Sequence, residues 1–430
     1  MNAASSQPPL AGRTVLRFVH AFKSGGGMER IMADLDGILL ERNPMTIVRM
    51  YIGEAGESET VQAIGRGTLV MVPLPLAAGD SRQIASDHEQ THPTFKQVLR
   101  DRVLYHPLVW PMLGRRYVLR RRLRHRRGEV VGAGRRFVEL AGRHAIDLCL
   151  LHFFGGSDAD EVLQAARARG IPVALQNHFS NDRFDNLAIR KHALLADAVA
   201  GMNGLDVPPY LRDRFTNLAD GIDMACFDPR AAVRPAALPD APVIFLPSRI
   251  VRPKGHLDVV RAAARLKQQG IPAAVAFAGR VDSEAFLEEL KREIVGLGLE
   301  GAVHFLGALK PSELRDWYAA SAVLAFPTYH HEGLGRIIVE AQAMKTPVVA
   351  YATGGVPEGV RDGSTGFLVR TGDLDTFTEK LRLLITQPGR RAEMGERGRE
   401  FVLEHYSLDA LARRHEQFYQ SVMRPAAAGR

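Results

Sequence analysis

The sequence predicts two consecutive doubly wound α/β domains, and three observations carry that reading. Short apolar runs alternate with amphipathic stretches along most of the 430 residues, the alternation begins twice, and a Pro- and Ala-rich stretch separates the two series. In the first series Thr14–His20 (TVLRFVH), Thr46–Ile52, Ile146–His152 (IDLCLLH) and Pro172–His178 (PVALQNH) are the expected strands. Their near-continuous apolar character suits a parallel sheet covered on both faces. Met28–Leu40 and Asp158–Arg169 are the expected intervening helices, the second stopped by Gly170. Residues 79–136, polar and then Arg-rich, break the pattern and are expected to form an insertion with helices of its own.

Pro229–Ala241 (PRAAVRPAALPDA) is the expected linker. Beyond it the expected strands are Val243–Pro247, Ala273–Ala278, Ala302–Leu306, Ala322–Pro327, Val348–Tyr351 and Gly366–Val369. Helices are expected at 255–269, 283–297, 311–319, 335–345 and 374–386. The domains are thus an N-terminal unit over 1–228, a linker over 229–241 and a C-terminal unit over 242–405, with a cleft between the two units.

Composition removes several classes. A chain 46% hydrophobic and 24% charged is neither mainly disordered nor a collagen nor a coiled coil. Cys149 and Cys226 are too few for a disulfide scaffold or a Cys-based zinc module, and both are expected as buried, inert thiols. The first twelve residues lack the order of a signal peptide, and no apolar run reaches the roughly 18 residues of a membrane span, so a cytoplasmic location is expected. The formal charge is +8, and residues 115–136 hold ten arginines against one acid, Glu129. Three readings of Arg115–Arg136 stand side by side: a solvated basic helix, a contact with an anionic membrane surface at its inner face, or a contact with an anionic soluble acceptor. Nucleic acid is not an expected partner, because Tyr117 is the sole interleaved aromatic.

Three glycine-punctuated turns carry candidate chemistry. Pro327–Met344 (PTYHHEGLGRIIVEAQAM) reads as strand end, turn and helix start, which presents free backbone amides and a positive dipole end to an anion. Within it Glu332 precedes the helix and Glu340 lies eight residues on, away from the solvated arc. A buried acid there needs a partner, and the bland partner is Arg336 at i,i+4. Ser248–Gly255 (SRIVRPKG) puts Arg249 and Lys254 at a strand's C-terminal end, where a guanidinium and an ammonium suit a diphosphate. Lys23–Arg30 (KSGGGMER) holds three glycines between strand and helix, without the Gly-Lys-Ser/Thr of a P-loop. Asp158-Ala159-Asp160 has the form of a metal-binding DxD, but acidic residues opening a helix account for it. His330-His331 reads as loop lining rather than a metal pair, so no metal site is expected.

The ordered set SRIVRPKG, AGR at 278–280, EGLGRIIVEAQA, GGVPE at 354–358 and DGSTGFLV at 362–369 resembles the retaining GT-B glycosyltransferases of family 4 (group 1), as do GGGMER and DGIDMACFDP. The resemblance implies a GT-B fold, two Rossmann-like domains facing a cleft, with a helix over about 406–423 crossing back to the N-terminal domain. It implies a hexosyltransferase-type reaction from a nucleotide-diphosphate sugar to an acceptor hydroxyl, with retention, no metal, and the leaving phosphate as base. By the same resemblance Arg249 and Lys254 hold the diphosphate, Glu332 with the amides of Leu334 and Gly335 holds hydroxyls of the donor sugar, and Gly333 belongs to the donor-binding turn. Glu340 binds ribose, Gly25, Gly26 and Gly27 close over the phosphates, and His178 lies near the reacting carbon, with His152 as the other histidine on that sheet edge. Base contacts fall around Gly307–Lys310. The implied co-substrate is a UDP- or GDP-linked sugar, with no further cofactor. Leu334 stands where the family usually has an aromatic. Two other readings stay open: a GT-B sugar phosphorylase or epimerase, and a non-catalytic sugar-nucleotide or membrane-binding protein on the same fold.

Overall fold

The structure, a computed structural model, describes residues 8–19, 27–53, 57–75, 132–152, 157–178, 181, 184, 187–205 and 207–423. In the N-terminal half the chain forms β1 (Thr14–Val19), α1 (Gly27–Arg42), β2 (Thr46–Gly53), β3 (Thr60–Ile64), β4 (Gly67–Pro75), α2 (Ala133–Arg143), β5 (Leu148–His152) and α3 (Ser157–Ala168). It continues through β6 (Val173–Gln176), α4 (Leu187–Leu195), β7 (Ala198–Gly201) and β8 (Phe215–Asn217). These strands form one eight-stranded sheet in the order β3-β4-β2-β1-β5-β6-β7-β8. Only the β3–β4 hairpin is antiparallel.

The C-terminal half comprises β9 (Val243–Pro247), α5 (His256–Gln268), β10 (Ala274–Ala278), α6 (Glu284–Gly296), β11 (Val303–Phe305), α7 (Pro311–Ala320) and β12 (Val323–Phe326). Then follow α8 (Arg336–Ala343), β13 (Val348–Tyr351), α9 (Val356–Gly359), β14 (Gly366–Val369), α10 (Leu374–Thr386), α11 (Pro388–His405) and α12 (Leu408–Val422). Its six strands are all parallel, in the order β11-β10-β9-β12-β13-β14. In both sheets the chain builds outward on one side and then reverses, between β1 and β5 and between β9 and β12. Such a reversal opens a crevice at the strands' C-terminal ends.

The sequence reading named four strands of the first sheet and missed the rest. β7 and β8 are four and three residues long, too short to show a period. β3 is an exposed edge strand paired with β4 through the turn at Gly65, whose φ is +55°. α2 begins at Ala133, so the last residues of the expected insertion belong to a helix that packs Phe137 and Leu140 into the sheet's core. α11 was also missed, because Gly395 and Gly398 look like breakers. A Cβ at Gly395 would stand 2.1 Å from the Lys345 carbonyl oxygen, so that glycine is a packing surface. Cys149 is buried, whereas Cys226 is only partly so, against the expectation of two buried thiols.

Alternation along β1 sends Leu16 and Phe18 to the face covered by α2 and α3, and Val15 to the face covered by α1 and α12. Arg17 shares Val15's face and is 0% exposed. It lies in register with Arg49 of β2, also buried, which sets two like charges opposite each other. Asp36, buried on α1, pairs with both guanidinium groups, and Arg17 also donates to the Tyr419 hydroxyl on α12. Burial opposes the Arg17 charge, but Asp36 and Tyr419 outweigh it and its pKa is raised. The returning helix is thus fastened to the first sheet through a buried ion cluster. Asn43 adds a bond to Glu416 at 2.8 Å, and Gln176 lies 3.2 Å from the His415 ring. The two crossings between the halves run side by side, with Ile222 N–H donating to the Tyr406 carbonyl at 2.8 Å.

Removing Asp36 would leave two buried cations without their shared anion. Asp36→Ala should cost about 3–5 kcal/mol, and Tyr419→Phe less, about 1.5–3 kcal/mol. Urea denaturation followed by circular dichroism reads both, and equal midpoint shifts would contradict the cluster's role.

Candidate active site

The reversal between β9 and β12 brings the two richest motifs together. After β9 the chain passes Arg249 and makes a single 3-10 turn over Arg252–Lys254, started by Pro253. Gly255 then enters α5 with φ +78°, and a Cβ there would lie 2.0 Å from the Pro327 carbonyl oxygen. Only glycine permits that approach. The loop after β12 is tied to this turn, because Tyr329 N–H donates to the Pro253 carbonyl at 2.8 Å. The result is a direct ion pair between the Lys254 ammonium and the Glu332 carboxylate, both largely buried. Lys254 Nζ also stands 5.9 Å from the centre of the Phe326 ring. Arg249 sits at the rim, half exposed, paired with Asp282.

Glu332 is followed by Gly333, Leu334 and Gly335, and Gly335 caps α8 with φ +80°. A Cβ on Gly335 would fall 2.9 Å from the Phe326 ring. Glu340, one turn into α8, is 8% exposed. It accepts a 2.9 Å hydrogen bond from the Tyr318 hydroxyl on α7 and lies 3.4 Å from Arg336. The Arg336 pair expected on helical spacing is therefore present, and Tyr318 is an addition that the sequence did not signal. Burial, then Glu340, raises the Tyr318 pKa. Above the turn, Gly355 N–H donates to the Glu332 carbonyl at 2.8 Å. The Gly307–Lys310 stretch follows β11 on the same sheet edge, and its Gly307 carbonyl accepts from Gly279 N–H at 2.7 Å.

Across the cleft, His152 ends β5 and His178 follows β6. The rings stack, with His152 Nδ1 and His178 Nε2 2.8 Å apart. Both histidines named for this edge thus lie in one cluster. Burial, aided by the Arg17 charge, pushes His178 down to about 3, and burial lowers His152 as well, so both rings are neutral near neutral pH. Asp220 stands 4.0 Å from His178 Nδ1. Burial pushes its carboxyl up to about 6, against the pull of Arg336 and Arg414. Asp220 is thus a buried carboxyl beside the histidine cluster.

The structure brings Lys254 to Glu332 beside the Gly333, Leu334 and Gly335 turn, and sets Glu340 one turn further along α8 against Tyr318. Gly25 and Gly26 lie outside the described residues, and Gly27 is the first residue of α1. Of the Arg-rich block, residues 115–131 lie outside the described residues; Arg136 on α2 pairs with Glu59 and Glu139. Asp160 is engaged by Lys191 and His192, both at 2.7 Å, which gives the DxD-like triplet a structural use. No described helix is long and apolar enough to cross a membrane. Sequence reasoning missed Asn203, Asp220 and Tyr318 as parts of the site. Glu358 was quoted within GGVPE, but no role was assigned to it.

Comparison with known proteins bears on the family and the fold. Residues 231–401 match the family described as glycosyl transferases group 1. The chain is 34% identical over 221 residues to a GDP-mannose-dependent alpha-(1-6)-phosphatidylinositol monomannoside mannosyltransferase of Mycolicibacterium smegmatis, covering 46% of this chain and 57% of that protein. It is 34% identical over 190 residues to a D-inositol 3-phosphate glycosyltransferase of Kribbella flavida, covering 41% and 44%. The chain thus spans about half the length of these curated relatives. Among solved structures, a glycosyltransferase from Rickettsia africae superposes with a TM-score of 0.65 at 18% identity, over 96% of this chain and 98% of that one. HepE of Anabaena, crystallised with UDP and glucose, gives 0.61 at 17%, over 95% and 100%. These likenesses show the fold. Residues 231–401 thus match the group 1 glycosyl transferases, and the chain as a whole has the GT-B fold.

Proposed function

We propose that the protein is a retaining glycosyltransferase that moves a hexose from a nucleotide-diphosphate sugar to an acceptor hydroxyl, without a metal. The observation that carries this reading is the convergence of Lys254, Glu332, the Gly333–Gly335 turn and Glu340 at one topological switch point. Transfer breaks the bond from the anomeric carbon to the diphosphate oxygen. Positive charge grows on the sugar and negative charge on the leaving group. Lys254, Arg249 and the first amides of α8 stabilise that negative charge, the work a divalent cation does elsewhere. The acceptor oxygen attacks the face from which the diphosphate departs, and its proton passes to the departing phosphate oxygen. Retention then needs no enzyme nucleophile. Glu332 and the turn amides hold sugar hydroxyls, and Glu340 holds the ribose. The phosphate role that the resemblance gives Gly25, Gly26 and Gly27 belongs to the same reading. His178 faces the reacting carbon from the other sheet as a neutral ring, so it hydrogen-bonds without adding charge.

The donor is proposed to be GDP- or UDP-linked. One relative is named for GDP-mannose and one solved neighbour was crystallised with UDP. The names of the relatives, phosphatidylinositol monomannoside and D-inositol 3-phosphate transferases, support an acceptor hydroxyl on a phosphorylated polyol or its lipid. Arg115–Arg136 suits such an anionic acceptor, or a membrane inner face on which a cytoplasmic enzyme would dock peripherally.

Lys254→Ala or Arg249→Ala should remove most transfer activity and weaken nucleoside diphosphate binding by about 1.5–3 kcal/mol each. Turnover and nucleotide affinity like the wild type's would show the clamp to be misplaced. Glu332→Gln and Glu340→Gln should separate in calorimetric titration. The first should weaken the sugar-bearing donor more than the bare diphosphate, and the second should weaken both, since both carry ribose. Unaltered binding of both ligands by both variants would remove the two glutamates from the donor site.

A further inference from the structure

The N-terminal half reaches into the turn that follows Glu332 at a single buried amide. Asn203 lies two residues beyond β7 and is 2% exposed. Its Nδ2 donates to the Gly333 carbonyl at 2.7 Å. Its Oδ1 accepts from Leu205 N–H at 3.0 Å and from Asn181 Nδ2 at 3.1 Å. Asn181 Nδ2 also donates to the Asn203 and Leu205 carbonyls, at 3.0 and 2.6 Å. With the oxygen end accepting the Leu205 N–H, the amide has one orientation, and its NH2 end faces Gly333.

The contact is built from both sides. A Cβ on Gly355 would lie 1.6 Å from the Gly333 oxygen and 2.6 Å from Asn203 Nδ2, so a side chain there would expel the bond. The next residue, Gly204, donates its N–H to the Glu358 carboxylate at 2.5 Å, and Asn217 Nδ2 donates to the other oxygen of that carboxylate. GGVPE thus grips the same short segment of the other half.

A trans peptide is planar, with its carbonyl and N–H pointing to opposite sides. Fixing the Gly333 carbonyl toward Asn203 therefore fixes the Leu334 N–H in the opposite direction. We propose that Asn203 is a positioning residue for the donor sugar: from the N-terminal domain it sets the Gly333–Leu334 peptide plane whose amide meets the sugar. Sugar recognition is thereby tied to the contact between the two halves. The inference rests on the donor-site reading above.

Asn203→Asp tests it. The carboxylate keeps an acceptor for Asn181 and Leu205 but turns an oxygen, not an N–H, toward the Gly333 carbonyl. Calorimetry with GDP-mannose and UDP-glucose against GDP and UDP reads the ratio of sugar-nucleotide to bare-nucleotide affinity. The variant should bind the sugar nucleotide about tenfold more weakly and leave the bare diphosphate within about twofold. Asn203→Ala, which adds no charge, should show the same split at smaller size and covers the case in which the aspartate variant does not fold. A ratio equal to the wild type's in a folded variant, or equal loss of both ligands, overturns the proposal. A wild type that binds no nucleotide overturns the donor-site reading and this inference with it.

Discussion

The ion pair between Lys254 and Glu332 forms because β9 and β12 are neighbours while their connections lead to opposite sides of the sheet. Two segments 78 residues apart in sequence are forced to one crevice, and no helix can close over it. Everything chemical in the C-terminal half follows from that constraint. Gly255 is needed because the turn after β9 touches the chain after β12, and Gly335 because the helix must start against Phe326. Glu340 is drawn inward because its helix backs onto α7, where Tyr318 meets it. A largely buried ammonium–carboxylate pair is costly to isolate but ready to be shared. A diphosphate inserted beside Lys254, with a sugar against Glu332, would give each charge a new partner without exposing either to water.

The N-terminal sheet answers with a different polar device. Arg17 and Arg49 occupy core positions in adjacent strands and are reconciled by Asp36 and the Tyr419 hydroxyl of the returning helix. That helix also brings His415 to Gln176, one residue layer from the His152–His178 pair. The strand ends that face the cleft are therefore backed by a buried, charged core that includes the last described helix. Domain placement, the histidine edge and the C-terminal crossover are parts of one packing solution.

Much of this was legible in the sequence. Largely buried parallel strands appear as near-continuous apolar runs, so β1, β2, β5, β6 and the six strands of the second sheet stood out. The turn motifs were legible because glycine at a positive φ beside a strand end has few other uses. What escaped depends on partners distant in sequence. Tyr318 meets Glu340 across 22 residues and Asn203 meets Gly333 across 130, and neither spacing has a period to betray it. Arg17 and Arg49 look like solvent-facing interruptions of a strand until Asp36 is seen between them. Cys226 stands in an apolar stretch of sequence, as Cys149 does, but packs against the edge of the core and is only partly buried.

The central claim is that the crevice between β9 and β12 is a nucleotide-diphosphate-sugar site served by cations of the chain itself. Its most direct test is a thermal-shift and calorimetric panel of UDP-, GDP- and ADP-sugars, their free diphosphates and inorganic phosphate, run on the wild-type protein in EDTA. The account predicts that at least one sugar nucleotide raises the melting temperature and binds one to one without a divalent metal. Stabilisation by inorganic phosphate alone, or nucleotide binding that returns only when metal is restored, would contradict it.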